Sequence, residues 1–201
     1  MGSQNTDPLS ARGAALLRSG LDEHMDVFLR LSALAPVIEQ AGGLIATTLS
    51  QGGKLLLCGN GGSASDSQHI AAELTGRFLK DRRPLAAVAL TTDTSALTSI
   101  ANDYGFDDVF SRQVTGLSRK GDCLLAISTS GNSRNVLRAA EAARTAGIRV
   151  IGLLGRDGGA LRDLCDVPIV VPSETTARIQ EAHTFIGHTL CALVEEALGL
   201  A

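Results

Sequence analysis

From residue 54 onward the chain repeats one pattern: a short apolar run, a loop of small or polar residues, then a stretch with helical spacing. The apolar runs are Lys54 to Cys58, Leu85 to Leu90, Cys123 to Ile127, Val150 to Leu154 and Val167 to Val171. Helical patterns follow at about Ser65 to Leu79, Thr94 to Asn102, Asn132 to Ala146, Ala160 to Leu164 and Glu174 to Leu198. Strand, loop and helix in repetition is the mark of a parallel sheet covered on both faces. The pattern therefore predicts an α/β fold, a three-layer sandwich around a five-stranded parallel sheet. Upstream, Leu16, Leu17, Leu21, Met25, Phe28 and Leu29 recur at helical spacing, and Pro36 opens a second helix to about Leu49, so a helical pair should precede the first strand. Residues 1–8 read as a terminal stretch that is either disordered or artificially appended, and with no low-complexity segment or linker the remainder, 9–201, reads as one domain.

A chain of 201 residues can bury a real core without disulfides or metal, and 44 % hydrophobic residues with only 3 % aromatics suit helices packed on a sheet. Eighteen basic and twenty-one acidic residues give a net charge of -3 with no long run of either sign, which argues against nucleic acid or an anionic membrane as partner. A small anionic ligand needs only a local site and stays open. Cys58, Cys123, Cys165 and Cys191 show no CxxC spacing and read as reduced thiols. Without a charged-then-apolar leader, and with no apolar stretch of about 18 residues, the expectation is a cytoplasmic protein that does not enter a membrane.

Two strand-to-helix junctions are built alike, Leu55 to Ser63 and Leu124 to Ser133. In a parallel sheet, ligands gather at the carboxyl ends of the strands, where loop amides and helix N-termini point at them, so both loops should face one crevice. The first supplies Gly59, Asn60, Gly61 and Gly62, whose glycines permit close backbone approach; the second supplies the hydroxyls of Ser128, Thr129, Ser130 and Ser133, donors suited to a phosphomonoester. Tight turns and helix caps would use the same small residues. Neither loop fits GxxxxGK[ST] or GxGxxG, which removes most support for a nucleotide.

On the helix after the first loop, His69 and Glu73 share a face at i and i+4, and on the last helix Gln180, Thr184 and His188 follow in steps of four. Two imidazoles, a carboxylate and an amide oxygen make a donor set for a divalent metal, zinc being the expected ion. The spacing fits equally an exposed helix pair beside unrelated polar positions. His183 lies well around its helix from His188 and is at best an alternative to it or a supporting group.

Taken together, Gly59-Asn60-Gly61-Gly62-Ser63-Ala64-Ser65-Asp66-Ser67-Gln68-His69 with Ala72-Glu73-Leu74, then Asn102-Asp103-Tyr104-Gly105-Phe106, Ser128 to Ser133 and Ile179-Gln180-Glu181-Ala182-His183, give a chain that resembles the sedoheptulose 7-phosphate isomerase branch of the sugar isomerase (SIS) family. The resemblance runs in order from about residue 15 to 198. It implies the SIS-type, flavodoxin-like version of the sandwich, a homotetramer with active sites between subunits, and one divalent metal, zinc, per subunit. The implied reaction converts sedoheptulose 7-phosphate to D-glycero-D-manno-heptose 7-phosphate through an enediol, the first step toward the heptose of lipopolysaccharide or capsule. Carried over by position, His69, Glu73, Gln180 and His188 fall on metal ligands, and Glu73 and His188 on the acid and base. Asn60, Gly61, Gly62, Glu73, Asn102, Asp103 and Gln180 fall on sugar contacts, and Ser128, Thr129, Ser130 and Ser133 on phosphate contacts.

Two other readings share these loops. A non-catalytic SIS tetramer that binds the replication initiator protein would not need His69, Glu73, Gln180 and His188 together, and an isomerase of a shorter phosphosugar would keep the same phosphate end. A phosphosugar-sensing regulator would need a helix-turn-helix or basic surface that the sequence does not offer.

Overall fold

The computed structural model describes residues 8–201, with side chains from Arg12 onward. The terminal stretch expected at residues 1–8 lies outside the described residues except for Pro8, which opens α1 (Pro8–Leu31). A single 3-10 turn links α1 to α2 (Ala35–Ser50), where Pro36 sits in the first helical turn, a place that has no use for its missing N–H.

The sheet contains β1 (Leu55–Cys58), β2 (Ala87–Ala89), β3 (Cys123–Ser128), β4 (Arg149–Gly155) and β5 (Val167–Val171). All pairings are parallel, in the spatial order β2-β1-β3-β4-β5. Register is set with Leu55 beside Ala87 on one side and Cys123 on the other, and Ile151 beside Val167. Leu55, Leu56 and Leu57 are all fully buried, which requires helices on both faces. One face carries Leu55, Leu57, Leu125, Ile127, Ile151 and Ile169 under α1, α2, α3 (Gly62–Thr75) and α7 (Thr176–Ala197). The other carries Leu56, Leu124, Ala126 and Val150 under α6 (Arg134–Thr145), α5 (Ser111–Leu117) and one flank of α4 (Thr94–Tyr104). Each such leucine or isoleucine contributes about 1.5–3 kcal/mol by leaving water.

The expected strands and most helices are present, with instructive differences at the ends. α3 begins at Gly62 rather than Ser65 because the glycine loop already forms its first turn, and it stops at Thr75 rather than Leu79. The amides of Phe78 and Leu79 bond the Glu195 carboxylate instead of helical carbonyls, at 3.2 and 3.4 Å. Helix α5 has no counterpart in the sequence reading, and the helix expected at Ala160 to Leu164 is only a 3-10 turn, Arg162–Leu164. There Leu161 N–H donates to the Gly131 carbonyl at 2.9 Å, tying the segment to a loop rather than to a helix of its own.

By length and composition alone the helical run Arg12–Ser50 could cross a membrane, contrary to the reading that no segment reaches that length. Within it, Ile38, Ala41, Ile45 and Leu49 of α2 are buried in the core that includes β5 and α7. All four cysteines are free, and burial pushes each thiol up to about 12, so they remain protonated.

Candidate active site

Because β1 lies between β2 and β3, the crossovers that leave β1 and β3 diverge, and a crevice opens at the carboxyl ends of these two strands. The loops after β1 and β3 leave the sheet at these strand ends. They are joined by a reciprocal amide pair: Asn60 Nδ2 donates to Asn135 Oδ1 and Asn135 Nδ2 donates to Asn60 Oδ1, both at 2.8 Å. Asn60 thus has one side-chain N–H and one lone pair left for a ligand, and Asn135 is a contributor the sequence reading missed.

The loop after β3 is held open from behind. Ser128 Oγ accepts from Gly131 N–H at 3.1 Å and lies 3.1 Å from Ser133 Oγ. Asn132 braces the loop, its Nδ2 donating to the Ser130 carbonyl and its Oδ1 accepting from Ala160 N–H, each at 3.0 Å. Gly131 has φ +64° and packs on the Gly158 carbonyl, so any side chain there would be strained and would collide with backbone. Ser133 occupies the N-cap position of α6, where its carbonyl accepts from the Val136 and Leu137 amides while its side chain makes no capping bond, so its hydroxyl is not consumed in capping. Hydroxyls beside a helix N-terminus, at the end of a buried strand, suit a doubly charged phosphate.

Helices α3 and α7 lie against each other in parallel and form the third wall. Along their contact, the Gln180 amide presses on the Cα of Gly62, where no side chain would fit. One turn on, Thr184 Oγ1 donates to Asp66 Oδ1 at 2.9 Å. One turn further, His69 Nε2 and His188 Nε2 stand 2.7 Å apart, and Glu73 Oε1 lies 3.5 Å from His69 Nε2. The ring of His188 stacks on Phe78 with centroids 5.4 Å apart.

The ligating atoms of His69, Glu73 and His188 all lie within 4.8 Å of one another, and two imidazoles with a carboxylate are a fitting donor set for zinc, so the residues present fit a divalent ion. Gln180, expected as the fourth ligand, is in the same helix contact but with its amide at the Gly62 end. Asn102 and Asp103 occupy the last turn of α4, exposed, with Asn102 Nδ2 donating to Asp103 Oδ1 at 2.8 Å. No described hydrogen bond joins them to the other expected site residues.

His183 is fully buried with Nε2 against the Leu154 carbonyl at 3.0 Å, and burial lowers its pKa to about 4. It is a neutral group facing the sheet, not a partner of His188. The sequence reading also missed Arg82 and Glu195, a buried pair at 2.8 Å. Burial alone would raise the Glu195 carboxyl, but Arg82 and the Phe78 and Leu79 amides outweigh it and hold it below the usual range. Arg82 also donates to the carbonyls of Glu73, Leu74 and Gly76 at 2.7, 2.8 and 2.9 Å, closing the end of α3 that carries Glu73.

A doubly wound parallel sheet with two ligand loops at its switch point defines a small-ligand-binding α/β domain, here with a hydroxyl-rich anion loop and an acid-base cluster. Residues 22–155 match the family model described as the SIS domain. A phosphoheptose isomerase of Rhodospirillum rubrum is 57 % identical over 173 residues, which cover 86 % of this chain and 92 % of the relative. Among solved structures, phosphoheptose isomerase from Neisseria gonorrhoeae aligns with TM-score 0.82 and 48 % identity over 94 % of this chain and 99 % of its own. That from Francisella tularensis aligns with TM-score 0.89 and 38 % identity over 92 % and 98 %. The chain belongs to the SIS domain family, on its phosphoheptose isomerase branch.

Proposed function

We propose that this protein is a ketose-aldose isomerase that converts sedoheptulose 7-phosphate to D-glycero-D-manno-heptose 7-phosphate. The observation that carries this reading is the meeting of His69, Glu73 and His188, from helices 119 positions apart in sequence, beside two loops suited to a phosphosugar. An initiator-binding scaffold has no need of that cluster. The high identity to phosphoheptose isomerases over most of the chain supports the seven-carbon substrate over a shorter one.

In the proposed mechanism, Ser128, Thr129, Ser130 and Ser133 hold the phosphate at the start of α6. Asn60, Gly61 and Gly62 line the sugar, with Gln180 beside them. Glu73 takes the proton from C1 of the ketose, and the enediol that results is reprotonated at C2. His188 moves the second proton between the two oxygens. A bound zinc ion, one per subunit, would supply charge stabilisation at the enediolate oxygen. His69, Glu73, Gln180 and His188 would hold it, and since a carboxylate cannot be a tight metal ligand and a free base at once, one of the two roles of Glu73 would be partial or transient.

The working form is proposed to be a homotetramer in the cytoplasm, with neither nucleic acid nor membrane as partner, acting in heptose supply for lipopolysaccharide or capsule. Support for assembly comes from α1, where Leu16, Leu17, Leu21, Met25 and Leu29 are all more than half exposed in one chain. The exposed Asn102 and Asp103 would then complete a site between subunits, and 9–201 would act as one domain.

The test is Glu73→Gln, which keeps size and removes basicity. Turnover of sedoheptulose 7-phosphate should fall by a factor on the order of 10² to 10⁴ with the fold retained. Wild-type turnover in deuterated water should place deuterium on the product carbon. A folded Glu73→Gln protein with undiminished activity removes Glu73 as base, and a wild type inert on this sugar removes the isomerase reading.

A further inference from the structure

The proton traffic proposed above asks the imidazole of His188 to face the reacting carbons in a fixed attitude, yet α7 fixes little more than its Cβ. The outer torsion of an imidazole side chain is broad, so the plane of the ring must be set by its neighbours. His69 meets it at a steep angle, with centroids 4.9 Å apart and planes at 61°. Phe78 lies flatter against it, with centroids 5.4 Å apart and planes at 29°, within the range in which aromatic pairs attract.

The placement of Phe78 is itself built. Residues 76–86 form neither helix nor strand, so no periodic structure holds the ring there. The N–H groups of Phe78 and Leu79 donate to the two carboxylate oxygens of Glu195, at 3.2 and 3.4 Å, and Arg82 pins that carboxylate at 2.8 Å. Glu195 stands seven residues past His188 on α7, two turns and about 10 Å along the same face. One helix thus carries both the imidazole and the carboxylate that anchors the ring stacked on it. Phe78 also packs, partly buried, against the main core, a duty that a leucine could serve equally.

We propose that Phe78 is a positioning residue for His188: its ring fixes the plane of the imidazole, so that Nε2 stays turned toward His69 before any ligand arrives. The kinetic side of this rests on His188 moving the second proton, as proposed above. What the position requires is then a flat ring, not merely apolar bulk.

The chain has four histidines, few enough for their ring protons to be resolved by NMR in full-length protein labelled at histidine and phenylalanine. The metal-free protein is measured at mildly alkaline pH, where an ordinary imidazole is neutral. In the wild type, the carbon-bound ring protons of His188 should be shifted upfield and should cross-relax with the ring of Phe78. Phe78→Leu should abolish the upfield shift, while His24, stacked on Phe28 with centroids 3.9 Å apart, keeps its own and serves as the reference. In turnover of sedoheptulose 7-phosphate, kcat of Phe78→Leu should fall about 2- to 10-fold, the usual worth of an aromatic pair, with KM nearly unchanged. Phe78→Tyr restores a ring and should recover both the shift and most of kcat. His188 signals that do not move in Phe78→Leu, or wild-type rings without cross-relaxation, overturn the proposal. Wild-type kcat in a folded Phe78→Leu protein also overturns it and leaves Phe78 a core residue. Should Phe78→Leu fail to fold, the wild-type cross-relaxation and the Phe78→Tyr shift decide alone. A wild type inert on this sugar that still shows the ring signals removes the isomerase reading and leaves the stacking role of Phe78 standing.

Discussion

Replacing Arg82 by Met tests how much of the catalytic geometry depends on a buried ion pair that braces the backbone of Glu73 without belonging to the acid-base cluster. The side chains of Arg82 and Glu195 are 2 % and 0 % exposed, so Arg82→Met strands a desolvated carboxylate. Stranding one member of such a pair costs about 3–5 kcal/mol, well above the ~0–1 kcal/mol of an exposed pair. For a chain of this length each kcal/mol moves the thermal midpoint by about 2–4 °C, so a fall of about 6–20 °C is expected. Protomer concentration must be held fixed, since assembly itself shifts the midpoint. Arg82→Met/Glu195→Gln removes the stranded charge while an amide oxygen still faces the Phe78 and Leu79 amides, and it should recover part of the loss. Because Arg82 also closes the carbonyls of Glu73, Leu74 and Gly76, the single variant should lose kcat more than it raises KM, measured below its melting range. A loss under about 1 kcal/mol, or a double variant no more stable than the single, would refute the argument that this pair is a desolvated clamp on α3.

Stability should also fall in acid through His183. Its folded pKa of about 4 lies below the ordinary 6.5, so the unfolded chain takes up the proton first as pH drops. The contribution is intact above about pH 6.5 and is lost toward pH 4, by up to about 3 kcal/mol. Denaturation of metal-free wild type and His183→Gln at pH 7 and 4.5 checks this, and parallel pH profiles would count against it. Ser130→Ala/Ser133→Ala should raise KM for the phosphosugar with kcat largely kept. Wild-type affinity in that double variant would mean that the phosphate sits elsewhere.

The layers of this fold could be read from the sequence because fully buried parallel strands leave uninterrupted apolar runs, and Leu55 to Cys58 and Cys123 to Ile127 are such runs. Helix α5 escaped because it is seven residues long with Val114 as its one buried residue, too little to set a period. The ends of α3 were misread because its first turn is glycine-rich and its last is cut short by Glu195, a residue over a hundred positions away. Within the site, the i, i+4 spacings marked His69 with Glu73 on one helix and Gln180 with His188 on the other, but that the helices meet is a tertiary fact that spacing does not contain. Asp66 was within reach of the same logic, since it precedes His69 by three residues and Glu73 by seven on one helical stripe. The bonds of Arg82 to Glu195, of Asn132 to Ala160 and of Asn135 to Asn60 were not, since they join groups brought near only by the closed fold.

The crossed amides of Asn60 and Asn135 turn two separate loops into one mechanical part. Rotating either amide alone by half a turn would set oxygen against oxygen and nitrogen against nitrogen, so the two must turn together or stay. Which atom Asn60 offers to a sugar is therefore decided by a residue on α6, behind the phosphate loop, and is fixed before any ligand arrives. Chemical ageing of either asparagine to aspartate would place a carboxylate oxygen where an N–H now donates, so that one of the two bonds gives way to an oxygen–oxygen repulsion while the other remains. The wear of this protein over time should then show itself as loosened registration between the sugar and phosphate ends of the crevice, with the sheet beneath still intact.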